Sequence, residues 1–267
     1  MNNKVTKSAP KPRRLRRGIY LLPNIFTLGA MFAGFFSIIS SAGQHFGPAS
    51  WAILIAMVLD SLDGRVARLT QTQSEFGAEL DSLSDLVSFG LAPAMLSYYW
   101  LLHGLDKAGW LSCFIFMACT ALRLARFNSQ AENSDCRYFR GLSSPMAAGL
   151  LATLVLVCEG LGWRVVNMSY ILFVIVIFAG LLMVSTLRYR SFKDVNLGGK
   201  VPFAVMLFIV MILVLISYSP DRTLFILFAS YVLSGPVMFC WRLYLYSSMR
   251  KKRLKRRRAR SQKGDKD

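Results

Sequence analysis

Long apolar runs alternate with short polar gaps along this chain. A membrane-crossing helix needs about 17–25 predominantly apolar residues. Runs of about that length lie near Tyr20–Ser41, Pro48–Ala67, Asp81–Leu102, Gly109–Phe127, Pro145–Leu161, Asn167–Leu187, Val201–Tyr218 and Thr223–Tyr246. The fifth is short and the eighth long. No stretch alternates at period two for long enough to make a β-barrel. The pattern predicts an all-α fold, a polytopic membrane bundle of about eight helices over residues 19–247, with basic tails at 1–18 and 248–267.

Composition supports that picture. Of 267 residues 54% are hydrophobic, and the mean hydropathy of +0.43 is too apolar for an ordinary soluble domain of this size. The net charge is +18, from 32 Lys and Arg against 14 Asp and Glu. The bases gather at the two ends and in the gaps between apolar runs. With the N-terminus in the cytoplasm, only Lys107, Arg164 and Arg222 of the 32 fall in outer loops. The positive-inside rule then predicts that both termini are cytoplasmic. The basic tails lack the aromatic interleaving of a nucleic-acid binder, so nucleic acid is not expected as a partner. Their expected roles are fixing topology and binding anionic lipid. The basic segment up to Arg17 leads into a long apolar run with no small-residue cleavage signal, so that run reads as a retained span. Short loops and the lack of other targeting signals point to a bacterial inner membrane. Cys113, Cys119, Cys136, Cys158 and Cys240 form no C-x-x-C pair, and four lie in apolar runs. They read as reduced, buried, small apolar residues.

One polar stretch does not behave like a loop. After "WAILIAMVL" comes "DSLDGRVARLTQTQSEFGAELDSLSD", which puts Asp60, Asp63, Asp81 and Asp85 at the inner membrane boundary. At about 100° per residue, Asp60, Asp63, Gly64, Ala67 and Arg68 share one helix face. Gly77, Asp81 and Asp85 step along one face of the next segment. Two helices can thus present two carboxylates each to one point, with small residues beside them. Four such groups at low dielectric repel one another, and a divalent cation resolves the repulsion. Carboxylate oxygens suit Mg²⁺ or Mn²⁺, which bridge well to phosphate. Helix capping, or pairing with Arg65 and Arg68, would explain one such aspartate but not the set.

The string Asp60-x-x-Asp63-Gly64-x-x-Ala67-Arg68, eight residues, then Gly77-x-x-x-Asp81-x-x-x-Asp85, resembles the signature of the CDP-alcohol phosphotransferases in each of its eight fixed positions. The resemblance implies a six-helix membrane core, usually a homodimer. It implies metal-dependent transfer from a CDP-activated donor to an alcohol, with release of CMP. It assigns Asp60, Asp63 and Asp81 to a divalent metal, one or two ions of Mg²⁺ or Mn²⁺. Asp85 would be the general base and complete a second metal position. Gly64, Ala67 and Gly77 would let the CDP moiety lie close to the helices, and Arg68 would steady the carboxylates or the diphosphate. Asn24 and Thr27, in "LPNIFTLGAMFAG", would touch the nucleotide or cap the first helix. Both histidines, His45 and His103, fall outside, so the inner side has no histidine base, which favours Asp85 in the role the resemblance implies.

Three further segments, "ALRLARFN", "YFRGLSSP" and "MVSTLRYRSFK", resemble the phosphatidylserine synthase branch of that family. That branch implies CDP-diacylglycerol and L-serine as substrates. Arg123 and Arg126 are one turn apart and can face one site. A serine carboxylate and a diphosphate both suit them. Arg140, Ser143 and Ser144 lie in the neighbouring loop and are further candidates for the acceptor or a phosphate. Two positions depart from the branch, Ala30 where Asn is usual and Ser143 where Pro is usual. Glycerol phosphate, inositol phosphate or choline are the alternative acceptors within the family. A cation-coupled transporter is the competing class. Its acids would sit at mid-membrane on broken helices rather than at one inner edge.

Overall fold

The computed structural model describes residues 21–70, 74–130, 138–162, 168–190 and 203–264. Among the described residues eight helical rods match the eight apolar runs. They are α1 (Leu21–Ala42), α2 (Phe46–Thr70), a third rod made of α3 (Glu75–Asp85) and α4 (Ala92–Trp100), α5 (Asp106–Gln130), α6 (Ser144–Leu161), α7 (Met168–Val184), α8 (Phe203–Tyr218) and α9 (Pro220–Gly264). Among the described residues five helices are long and apolar enough to cross a membrane, and α7 and α8 supply shorter apolar helices. The N-terminal tail, 1–18, lies outside the described residues. At the other end α9 runs on through Arg250–Arg260 to Gly264. Lys and Arg are good helix formers, so the basic run continues the helix.

Local chemistry sets the ends of these rods. Gln44, at φ 60°, reverses the chain between α1 and α2. Gly162 closes α6 in the left-handed conformation, and its N–H reaches the Cys158 and Glu159 carbonyls. Ser74 caps α3, accepting the Gly77 N–H at 3.0 Å. The third rod therefore begins at Glu75, a turn and a half before the acids that mark its run in sequence.

The core is built largely from small residues. Ala30, Ala33, Ser37 and Ser41 on α1, and Ala49, Ser50, Ala52 and Ala56 on α2, are buried. Small side chains let the two backbones approach closely where lipid offers no hydrophobic driving force. Gly180 of α7 lies against the backbone of Phe116 on α5, 3.3 Å from where a Cβ would stand. The buried cysteines Cys113, Cys119 and Cys158 join this core. Cys240 departs from the expectation and is exposed. It stands on the outward face of α9, beside exposed Phe239 and Trp241.

Two features lie beyond the run pattern. A π-helical turn, Leu86–Leu91, joins α3 to α4. Two three-residue strands, β1 (Tyr138–Arg140) and β2 (Arg188–Arg190), pair antiparallel with Arg140 opposite Arg188. Gly141 follows β1 at φ +85°, and a Cβ there would run into the Met183 carbonyl. Gly141 and Leu142 donate their N–H groups to Leu187 and Leu182 at 2.8 and 3.0 Å. The start of α6 is thereby pinned beside the end of α7. At the opposite end of the bundle, Trp100 Nε1 donates to Glu159 Oε1 at 2.8 Å, clasping α4 to α6. This gives Glu159 a structural role.

Candidate active site

The first turns of α1, α3 and α6 and the last turns of α2 and α5 meet at one end of the bundle. A cavity of about 210 Å³ opens there, lined by residues of α1, α2, Ser74 and α3. Asn24, Thr27, Gly64, Ala67 and Gly77, all expected at the donor, line it with Asp63 and Asp81. A Cβ on Gly64 would meet nothing within 4 Å, so this glycine faces open space and is not a packing contact. Gly77 is the reverse case. A Cβ there would stand 3.1 Å from Ser74 Oγ and 3.4 Å from Asn24 Oδ1, so it lets α3 close on α1.

The carboxylates converge as the wheel predicts. One oxygen each from Asp60, Asp63 and Asp81 lies within 4.8 Å of the others. Asp60 and Asp85 come within hydrogen-bonding reach of each other. Asp63 is buried and accepts a 2.9 Å hydrogen bond from Thr27 Oγ1. Asp81 Oδ1 is buried with no hydrogen-bond partner among the described residues. Two unit charges 4.8 Å apart repel by about 3.5 kcal/mol at an effective dielectric of about 20. A divalent cation fits this set: oxygen donors only, crowded, with one buried oxygen unsatisfied.

The third rod is held in place by buried hydroxyls. Ser84 Oγ donates to the Thr27 carbonyl at 3.0 Å and Ser88 Oγ to the Ala30 carbonyl at 2.9 Å. They stand on either side of Asp85 and the start of the π turn. Such turns recur at functional sites because the extra residue re-aims side chains. Ala30 keeps its place here as a 2% exposed packing residue beneath that contact.

Arg123 is the arginine that reaches this centre. Its Nη1 donates to Ser144 Oγ at 2.8 Å, and it lies close enough to Asp85 for the two charges to interact. Ser144 is fully buried at the start of α6. Arg126, one turn on, is half-buried and shares none of these contacts among the described residues. Arg68 turns back along its own helix, its Nε donating to the Gly64 carbonyl at 2.8 Å. It stands at the rim and does not line the cavity. Ser143 occupies the N-cap of α6 without a side-chain cap bond. The Arg140 backbone is fixed by β1, while its side chain lies outside the described residues.

Sequence reasoning missed several participants. Pro23, Ser74 and Ala78 line the cavity. Ser74 carries a readable signal, a serine just before a helix start. Tyr231 of α9 lies close enough to Arg123 for the two to interact electrostatically, and nothing near it in sequence points there.

The class these features describe is a helical membrane protein with a carboxylate-lined cavity at one end of its bundle. The chain belongs to the CDP-alcohol phosphatidyltransferase family, whose model matches residues 20–174. It is 35% identical over 217 residues to a protein of Helicobacter pylori named CDP-diacylglycerol–serine O-phosphatidyltransferase, covering 81% of this chain and 90% of that one. Proteins of the same name from Methanocaldococcus jannaschii and Bacillus subtilis are 44% and 37% identical over 142 and 133 residues. Those matches cover 53% and 50% of this chain, and 63% and 74% of those proteins.

Proposed function

We propose that this chain is a CDP-diacylglycerol–serine O-phosphatidyltransferase. It moves the phosphatidyl group of CDP-diacylglycerol to the L-serine hydroxyl, giving phosphatidylserine and CMP. The observation that carries this reading is the convergence of Asp60, Asp63, Asp81 and Asp85 beside Arg123 and Ser144, next to a cavity with a bare glycine wall. The names of the relatives supply the acceptor.

Asp60, Asp63 and Asp81 would hold Mg²⁺ or Mn²⁺, with Asp85 completing a second position. The bound ion would neutralise diphosphate charge and stabilise the leaving phosphate. The chain's own residues do the rest. Gly64, Ala67 and Gly77 leave room for the CDP moiety, with Asn24 and Thr27 on the α1 side of the same cavity. Thr27 also orients Asp63. Arg68 stands at the rim, able to meet the diphosphate. Arg123, with Ser144 and the nearby Ser143, Arg126 and Arg140, forms the anion-binding side. Asp85 takes the serine hydroxyl proton as the new oxygen–phosphorus bond forms and the bond to CMP breaks. In this reading the protein is a homodimer of a bacterial inner membrane, with its site and both termini cytoplasmic. Its basic tails lie on anionic lipid.

The test is an acceptor panel on the purified protein in detergent, with CDP-diacylglycerol and Mn²⁺ or Mg²⁺, following CMP. Serine-dependent CMP release with phosphatidylserine as product, abolished by EDTA, is the expected result. Release driven by glycerol phosphate or inositol phosphate instead would overturn serine as the acceptor.

A further inference from the structure

We propose that Asn128, the last residue of the "ALRLARFN" segment, is a positioning residue: it latches α5 to α3 and so fixes the gap in which the acceptor meets Asp85 and Arg123. The inference rests on the roles proposed for those two residues above.

The latch is one hydrogen bond. Asn128 Nδ2 donates to Ser82 Oγ at 2.9 Å, joining the last turn of α5 to α3. Its polarity is set by α3. The Ser82 hydroxyl gives its own proton to the Ala78 carbonyl at 3.0 Å, so its oxygen is left to accept. An amide NH2 supplies the donor that a carboxylate or an apolar side chain could not. Asn128 is exposed and Ser82 half-buried, which puts the bond at the mouth of the site.

A second contact between the same two rods lies deeper. A Cβ on Gly90, in the π turn, would stand 3.3 Å from Thr120 Cβ and Cγ2 on α5. The helices run antiparallel, and the two contacts are eight residues apart on each, 82 to 90 and 120 to 128. Asp85 and Arg123 both fall between them, within about one turn, ~5 Å, of the same level. The pair is thus framed by a packed contact on the deep side and a hydrogen bond at the mouth. Helix α3 is tied to α1 separately, by Ser84 Oγ on the Thr27 carbonyl. Loss of the latch therefore leaves the donor cavity, lined from α1, α2, Ser74 and α3, in place. What it frees is the end of α5 beyond Arg123. This assigns Asn128 to the acceptor side.

The experiment compares Asn128→Ala, Ser82→Ala and the double variant with the unaltered protein, measuring KM for serine and for CDP-diacylglycerol. Losing one neutral hydrogen bond predicts a rise of about fivefold in serine KM for either single change. The double variant should rise no further, because both changes remove the same bond. Ser82→Thr keeps the oxygen and can keep its bond to the Ala78 carbonyl, so its serine KM should stay normal. Donor KM should change by less than about twofold in all four variants, whereas a merely structural role would raise both KM values together. Unchanged serine KM in either single variant, additive effects in the double variant, an equal rise in donor KM, or a loss in Ser82→Thr as large as in Ser82→Ala would each overturn the inference while leaving the acceptor reading in place. Absence of serine-dependent CMP release from the unaltered protein would overturn the acceptor reading, and this inference with it.

Discussion

Asp85 differs from the other three aspartates in its surroundings. Asp60, Asp63 and Asp81 crowd one another, whereas Asp85, at the entry to the π turn, feels both the charge of Asp60 and Asp81 and that of the Arg123 guanidinium. A group between the carboxylate cluster and the anion-binding side is placed to take a proton from an alcohol bound there. Asp85→Asn keeps the shape and removes the basicity. General-base catalysis is worth about 10²–10⁴-fold. Single-turnover CMP release should fall by at least about 10²-fold, while binding of CDP-diacylglycerol, measured directly, stays within a few-fold. Near-normal turnover would sink the assignment. The four aspartates were legible in sequence because their relation is local: i, i+3 on one helix and i, i+4 on the next. Arg123 was legible only as one of a pair. What separates it from Arg126 is Ser144, 21 residues away, and contacts at that range depend on how helices pack. Arg68 was expected on the acidic face of α2 from its spacing, but its bond to the Gly64 carbonyl, which turns it along the helix, is a rotamer choice that spacing does not encode.

At the scale of elements, two glycines make opposite demands. Gly34 of α1 presses on the π turn, where an added Cβ would stand 2.7 Å from Ser88 Cα, a backbone atom with little freedom to move. Gly64 of α2 faces the cavity with nothing within 4 Å. Gly34→Ala should overpack the α1 contact by about 1–3 kcal/mol and lower the apparent melting temperature in detergent. Gly64→Ala should melt no lower than the unaltered protein, since Ala is the better helix former by about 1 kcal/mol, yet it should raise KM for the donor. If Gly64→Ala lowered stability and left donor KM unchanged, the glycine would be a packing residue and the cavity assignment would fail. The π turn itself was not readable. "LVSFGLA" holds no proline and a single glycine, nothing that marks a π turn, and the turn becomes visible only when Ser84 and Ser88 are seen reaching carbonyls on a different helix. The β1–β2 pairing was hidden for a related reason: three-residue strands far apart in sequence leave no periodicity to detect.

At the scale of the whole molecule, charge and geometry point to one orientation. The site occupies the end of the bundle where α2 and α5 finish, and that end carries Arg65, Arg68, Arg123 and Arg126. The opposite end carries His103, Lys107 and Trp110 around an open groove. CMP and serine are water-soluble and lipid is not, so a site at a bundle end lets each reactant arrive from its own phase. Where the positive-inside rule holds, that end faces the cytoplasm. This can be checked without reference to activity. In a cysteine-free background, Ser129→Cys and His103→Cys place one thiol near each end, both at exposed positions. A membrane-impermeant maleimide applied to intact spheroplasts should label His103→Cys at once, and Ser129→Cys only after permeabilisation. The reverse order would put the carboxylates outside, away from the cytoplasmic supply of a CDP-activated lipid. The proposed reaction would then lack its donor on the side where its site opens, however well the residues fit.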